Sequence, residues 1–152
     1  MKPHLNAITL AVDDLERALQ FYRDGLGLPT NGIFGTEFPG SAAEAAGAIA
    51  MFTLANGLIL SVYPRSELAK DAHIDPTGTV GSAVSLGHVV DSRKEVHRLL
   101  AEAERAGATV TAPAAERPWG VYCGYFRDPD GHLWEILHFL PNGPSEDPGR
   151  PT

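Results

Sequence analysis

Few side chains in this chain could bind a metal, attack a carbon or move a proton. Its 152 residues hold six histidines, one cysteine, and 19 acids against 12 lysines and arginines. Cys123 stands alone, which excludes an intrachain disulfide and any multi-cysteine metal site. As a nucleophile it would need a base, and no histidine adjoins it in sequence. A lone cysteine in a strand is normally buried and inert. Asp128 and Asp130 fall in Asp128-Pro129-Asp130-Gly131. A calcium loop needs repeated oxygen donors, which this segment lacks, so tight-turn chemistry explains it better. Beyond the turn lies Glu135, an acid inside the mostly apolar stretch 133–139.

The elements that must position these residues come in two similar sets. Residues 5–12 (LNAITLAV) read as a buried strand. Asp13 and Glu16 have the spacing of a capping box for the helix that follows. Leu15, Leu19, Tyr22 and Leu26 mark its apolar face, and Gly25 and Gly27 close it. Strands are expected over 30–34, 48–54 and 58–63, the last two joined by a turn containing Asn56-Gly57. The second half repeats this order. A strand over 82–90 leads into the box Ser92-Arg93-Lys94-Glu95, then a helix burying Val96, Leu99, Leu100 and Ala103 and ending at Gly107. Strands over 108–111, 121–127 and 133–139 complete it.

This is an internal duplication, and it registers on itself. Matching Asp13 with Asp91 sets Ala7 opposite Ser85. Matching Gly57 with Gly131 sets Ser61 opposite Glu135. The chain is therefore read as one domain over 1–140, with modules at about 5–63 and 82–139 and a Gly/Pro linker at 72–81. Residues 65–71 read as a short helix capped near Ser66. The Ala/Gly-rich insertion 37–47 reads as a mobile loop lying over something. The tail 141–152, with four prolines and two glycines, is expected to be disordered or to lie as an arm on a neighbour.

Composition narrows the function classes. The net charge of −7, with no basic cluster, argues against nucleic acid or anionic membrane as a partner. No apolar run approaches the about 18 residues of a membrane span. The N-terminus leads straight into a patterned strand, so no signal peptide is expected and the protein is read as soluble and cytoplasmic.

The segments ITLAV-DDLERALQFYRDGLG and YFRDPDGHLWEI resemble the vicinal oxygen chelate superfamily, which holds glyoxalase I, bleomycin-resistance proteins and extradiol dioxygenases. The resemblance covers residues 5–139. It implies an α+β fold in which two βαβββ modules form paired curved mixed sheets around a cavity, and homodimerisation is a further expectation from it. In metal-dependent members, ligands project into that cavity from the first and last strand of each module. Carried over, those positions fall at Ala7, Ser61, Ser85 and Glu135, of which only Glu135 is an ordinary metal ligand. Strand alternation tests the histidines as substitutes. His4, His88, His132 and His138 each lie three residues from a ligand position, an odd offset that points the ring away. His97 falls on the second helix and His73 in the linker. No cofactor is therefore expected, and a divalent metal is disfavoured.

The same alternation lists residues to line the cavity. These include Thr9, Ser61, Tyr63 and Ser85, with Tyr122, Gly124 and Phe126 added by pairing across the DPDG turn. A changed loop register would exchange those three for their neighbours. Trp119 is placed at one mouth, Trp134 in the helix-facing core, and Phe52 is ambiguous. Glu135 is expected to be hydrogen-bonded to Ser61, Ser85 or Tyr63, or raised in pKa by desolvation. The leading expectation is metal-free binding of a small organic molecule. The alternative is a lyase or dioxygenase with a non-standard metal site or with Glu135 as general base. A weaker third reading is a sheet scaffold for a protein partner.

Overall fold

The computed structural model describes residues 7–77, 84–118 and 120–141. His4, the expected linker beyond residue 77, Trp119 and the tail beyond Pro141 lie outside the described residues. The chain divides into two units, Met1–Thr79 and Val80–Thr152. Each is a four-stranded mixed sheet with helices, so the fold is α+β and the expected repeat is present.

In the first unit, β1 (Ala7–Val12) runs into helix α1 (Leu15–Leu19) and a π-helical turn (Gln20–Gly25). Strands β2 (Thr30–Phe34), β3 (Ile49–Thr53) and β4 (Ile59–Pro64) follow, then helix α2 (Arg65–Ala72). The sheet order is β1-β4-β3-β2, with β1 parallel to β4 and the other pairs antiparallel. Asp14, not Asp13, caps α1 by accepting from Arg17 N–H at 3.0 Å, while Asp13 pairs with Arg65 at 2.9 Å. The π turn adds a residue to one turn and shifts the helical phase. Phe21 is thereby buried beside Leu19 and Tyr22, while Leu26 stays half-buried. Phe52 is fully buried in this core, its ring 5.8 Å from that of Tyr22. Burying such a side chain contributes roughly 2–3 kcal/mol. Pro64 rather than Ser66 precedes α2, and the Ser66 hydroxyl turns to Glu67 instead.

The second unit has β5 (Ser85–Val89), α3 (Arg93–Ala106), β6 (Thr109–Arg117), β7 (Val121–Arg127) and β8 (Leu133–Phe139), in the matching order β5-β8-β7-β6. Ser92 caps α3 through Glu95 N–H, and Gly107 ends it in the left-handed conformation. The Glu95 carboxylate pairs with Arg98 rather than closing the box. β6 runs well past the expected 108–111, and two register shifts against β7 accommodate Pro113 on this edge strand.

Candidate functional site

In the first unit, β1 and β4 turn Leu10, Val12, Leu60 and Val62 into the core. Thr9, Ser61 and Met51 are consecutive partners across β1, β4 and β3 on the opposite face, with Tyr63 next along β4. Ser61 is itself buried there. A cavity of about 500 Å³ opens on this face. Thr9, Ile49 and Tyr63 line it from the sheet, Leu68 and Asp71 from α2, and Phe38 with residues 45–47 from the insertion. That volume suits a drug-sized or smaller molecule.

The insertion lies over this cavity and is tied down. Ala46 N–H donates to Glu67 Oε2 at 2.6 Å, and the Tyr63 hydroxyl donates to Ala46 O at 2.5 Å. Lys70 Nζ holds Ser41 O at 2.9 Å and both Glu67 oxygens at 3.1 and 3.2 Å. At its base Gly35 and Gly47 pass so closely that a Cβ on Gly47 would sit 2.8 Å from Gly35 O, so only glycine fits there. The Ala46 amide, and then Lys70, hold the Glu67 carboxyl below its ordinary value. Burial pushes the Tyr63 phenol up, and the charges of Asp71 and Glu67 push it further.

In the second unit, Glu135 pairs with Gly87 on one side and Tyr125 on the other. The face carrying Glu135 therefore holds Cys123 and Tyr125, and the expectation for Tyr122, Gly124 and Phe126 is corrected. The cause is the turn. Asp128 Oδ1 accepts from the N–H of Asp130 at 3.0 Å and of His132 at 2.8 Å, and Oδ2 meets the His132 ring at 2.7 Å. His132 is thus held in the turn, and the side-chain ladder resumes with Arg127 opposite Leu133. A one-residue change in loop length turns every β7 side chain over. Phe126 is buried on the helix side, stacked on Trp134 with ring centroids 6.1 Å apart. The Tyr122 hydroxyl meets His97 Nε2 on α3 at 2.7 Å, beneath the Arg93 guanidinium.

Glu135 interacts with Tyr125 and Cys123. Burial raises the Tyr125 phenol first, then the charge of Glu135 and a hydrogen bond to it. Burial likewise raises the Cys123 thiol, with Arg117 opposing and Glu135 adding to the rise. Cys123 is almost fully buried, an inert setting for a thiol. Ser85 is exposed and pairs with Leu133. His88 and His138 pair with Ile136 and Tyr122, on the face opposite Glu135, and His138 Nδ1 lies 3.1 Å from Val90 O.

The donor set at the superfamily's ligand positions does not fit a divalent metal. Ala7 offers a methyl group, Ser61 and Ser85 offer neutral hydroxyls, and Glu135 offers the one carboxylate. Among the described residues no three His, Cys, Asp or Glu side chains converge to hold an ion. Nor is any helix among them long and apolar enough to cross a membrane.

Strand alternation along β1 and β4 suffices to bring Thr9 and Tyr63 to this cavity, but it does not register Phe38, Leu68 and Asp71. Phe38 stands in an insertion whose sequence has no period, although its Ala/Gly content marks it as a covering loop. Leu68 and Asp71 lie on a helix that the sequence locates without showing what it faces.

The fold agrees with comparisons to known proteins. The model of the Glyoxalase/Bleomycin resistance protein/Dioxygenase superfamily matches residues 4–136, and the chain belongs to that superfamily. A glyoxalase-related enzyme from Fulvimarina pelagi is 32% identical, with a TM-score of 0.73 over 90% of this chain and 88% of its own. A lactoylglutathione lyase from Agrobacterium tumefaciens is 25% identical, with a TM-score of 0.62 over 91% of this chain and 95% of its own. A fosfomycin resistance protein from Listeria monocytogenes shares the fold at 18% identity, with a TM-score of 0.64 over 93% of this chain and 97% of its own. Comparison with curated proteins finds no match.

Proposed function

We propose that the protein binds a small organic molecule, without a metal, in the cavity beneath the 35–47 loop. The observation that carries this reading is a cavity of about 500 Å³ that brings apolar side chains, Phe38, Ile49 and Leu68, together with three polar ones, Thr9, Tyr63 and Asp71. In such a mixed lining the apolar side chains supply affinity and the polar groups fix orientation. The donor set at Ala7, Ser61, Ser85 and Glu135 supports the metal-free part of the reading, and the superfamily resemblance supports a homodimer. The test is a ligand screen on the full chain by amide chemical shifts, before and after treatment with a chelator. Binding that perturbs Thr9 and Tyr63 and survives chelation supports the reading. Ligands that bind only with added divalent metal would overturn it.

A second reading rests on Glu135 beside the Tyr125 phenol. A carboxylate and a phenol in one cluster can share a proton, which suits a lyase or dioxygenase using Glu135 as general base. If such turnover exists, Glu135→Gln abolishes it while the folded structure persists. Unchanged turnover removes that role.

A further inference from the structure

The groups around the first unit's cavity differ in what they leave free to meet a ligand. Its hydrogen-bond donors are largely committed to the protein. Ala46 N–H serves Glu67, Gly47 N–H serves Phe38 O at 2.9 Å, and the Tyr63 hydroxyl serves Ala46 O. Lys70, the cation next to Asp71 in α2, has its donors on Ser41 O and the two Glu67 oxygens. Among the described residues an anion entering here would find neither a free cation nor a cradle of amides.

The acceptors are in the opposite position. Asp71 is the one acidic side chain lining the cavity, and no cation among the described residues pairs with it. It stands in the last turn of α2, where the helix's own carbonyl end adds negative potential. A carboxylate at that end costs the helix stability, so its presence needs a reason beyond helix formation. Burial is the larger cause of the raised Tyr63 phenol, and the charges of Asp71 and Glu67 add to it in that order. Phe38 is 62% exposed and brings an apolar ring to the same cavity. With the Tyr63 ring it offers faces that attract a cation and an apolar body alike.

We propose that this cavity takes an organic ammonium with an apolar body, its charge set against Asp71 and its body against Phe38 and Tyr63. The inference rests on the ligand-binding reading above and adds the class of ligand. It is tested on the full chain with three probes of similar size: phenethylammonium, phenethyl alcohol and hydrocinnamate. Affinities are followed by calorimetry and by amide shifts of Thr9, Ala46 and Tyr63 at neutral pH and low salt. Phenethylammonium should bind most tightly and hydrocinnamate least. Asp71→Asn should weaken phenethylammonium by about fivefold, the size of one partly exposed charge pair, and leave phenethyl alcohol unchanged. Asp71→Glu should retain most of the preference, and added salt should erode it. Equal binding of cation and alcohol, or a preference that survives Asp71→Asn, overturns the charge assignment while the cavity remains a binding site. Failure of all three probes to move Thr9, Ala46 and Tyr63 at millimolar concentration overturns the binding reading as well.

Discussion

Replacing Glu67 with alanine should loosen the hold of α2 on the 35–47 loop. Its Oε2 accepts Ala46 N–H at 2.6 Å, and the carboxylate is held from the other side by Lys70. With its side chain 16% exposed, Glu67 makes a partly desolvated, charge-assisted contact. Such a hydrogen bond contributes roughly 1.5–3 kcal/mol. Taking about 2 kcal/mol, and tenfold for each about 1.4 kcal/mol, the open fraction of the loop should rise about 30-fold. Glu67→Gln keeps an acceptor oxygen and loses the charge, so about 1 kcal/mol and about fivefold are expected. The assay is amide hydrogen exchange at Ala46, with the Gly57 amide, bonded to Leu54 O at 2.9 Å in the β3–β4 turn, as internal control. Acid gives an independent arm. Because the folded carboxyl titrates below its ordinary value of 4.5, its contribution is complete above that value and is lost as pH falls through the depressed one. Ala46 should therefore stay protected down to that range and loosen below it. Unchanged Ala46 exchange in Glu67→Ala, or loosening that begins near neutral pH, would refute the assignment of the latch to this carboxylate.

Other outcomes follow from the second unit. A Cβ on Gly124 would lie 2.5 Å from Leu100 Cδ1 on α3 and 3.0 Å from Ala112 O, so Gly124→Ala should cost about 1–3 kcal/mol in urea unfolding. Asp128→Ala removes the acceptor for two turn amides and the His132 ring, and should cost about 2–4 kcal/mol in the same assay, with shift changes concentrated at 128–133. Phenolate absorbance should show Tyr125 ionising above the ordinary value of 10.0, and Glu135→Gln should move it part of the way back, since burial is the larger cause and remains. A raised phenol stays protonated when its unfolded counterpart ionises, so stability should fall as pH rises past 10.0 in the parent and fall less in Glu135→Gln.

Much of the fold is legible in the sequence because short-range rules and the tertiary structure agree. Residues 30–34, 121–127 and 133–139 form strands with the expected bounds, the last two being segments rich in aromatic and aliphatic side chains on either side of a turn. Ser92 and Gly107 mark the ends of α3 for the same reason. Where reading fails, a partner distant in sequence intervenes or a turn holds one residue more. Asp13 fits the capping pattern, but Arg65, far along the chain, takes it and leaves the cap to Asp14. The face of β7 depends on whether His132 belongs to the turn or to the strand. That choice is made by Asp128 through three contacts that strand periodicity does not register.

The duplication explains why the two faces carry different chemistry on the same framework. Ala7 pairs with Ile59 and Ser85 with Leu133, each two residues before Ser61 and Glu135 on the neighbouring strand. Internal alignment of the sequence makes the same matches, so Ser61 and Glu135 are structural equivalents. The backbone at this position therefore imposes no particular side chain. In the first unit it holds a buried hydroxyl between Thr9 and Met51, and the 35–47 insertion adds a roof and a cavity. In the second it holds a carboxylate between Gly87 and Tyr125, and the connection between β6 and β7 is a tight turn at Gly120. Within each unit the sheet is thus compatible with different side chains at equivalent positions, Ala7 and Ser61 in the first and Ser85 and Glu135 in the second. The same freedom lets a single insertion in one copy roof a cavity that Asp71, a residue of α2 outside the repeated strands, also lines.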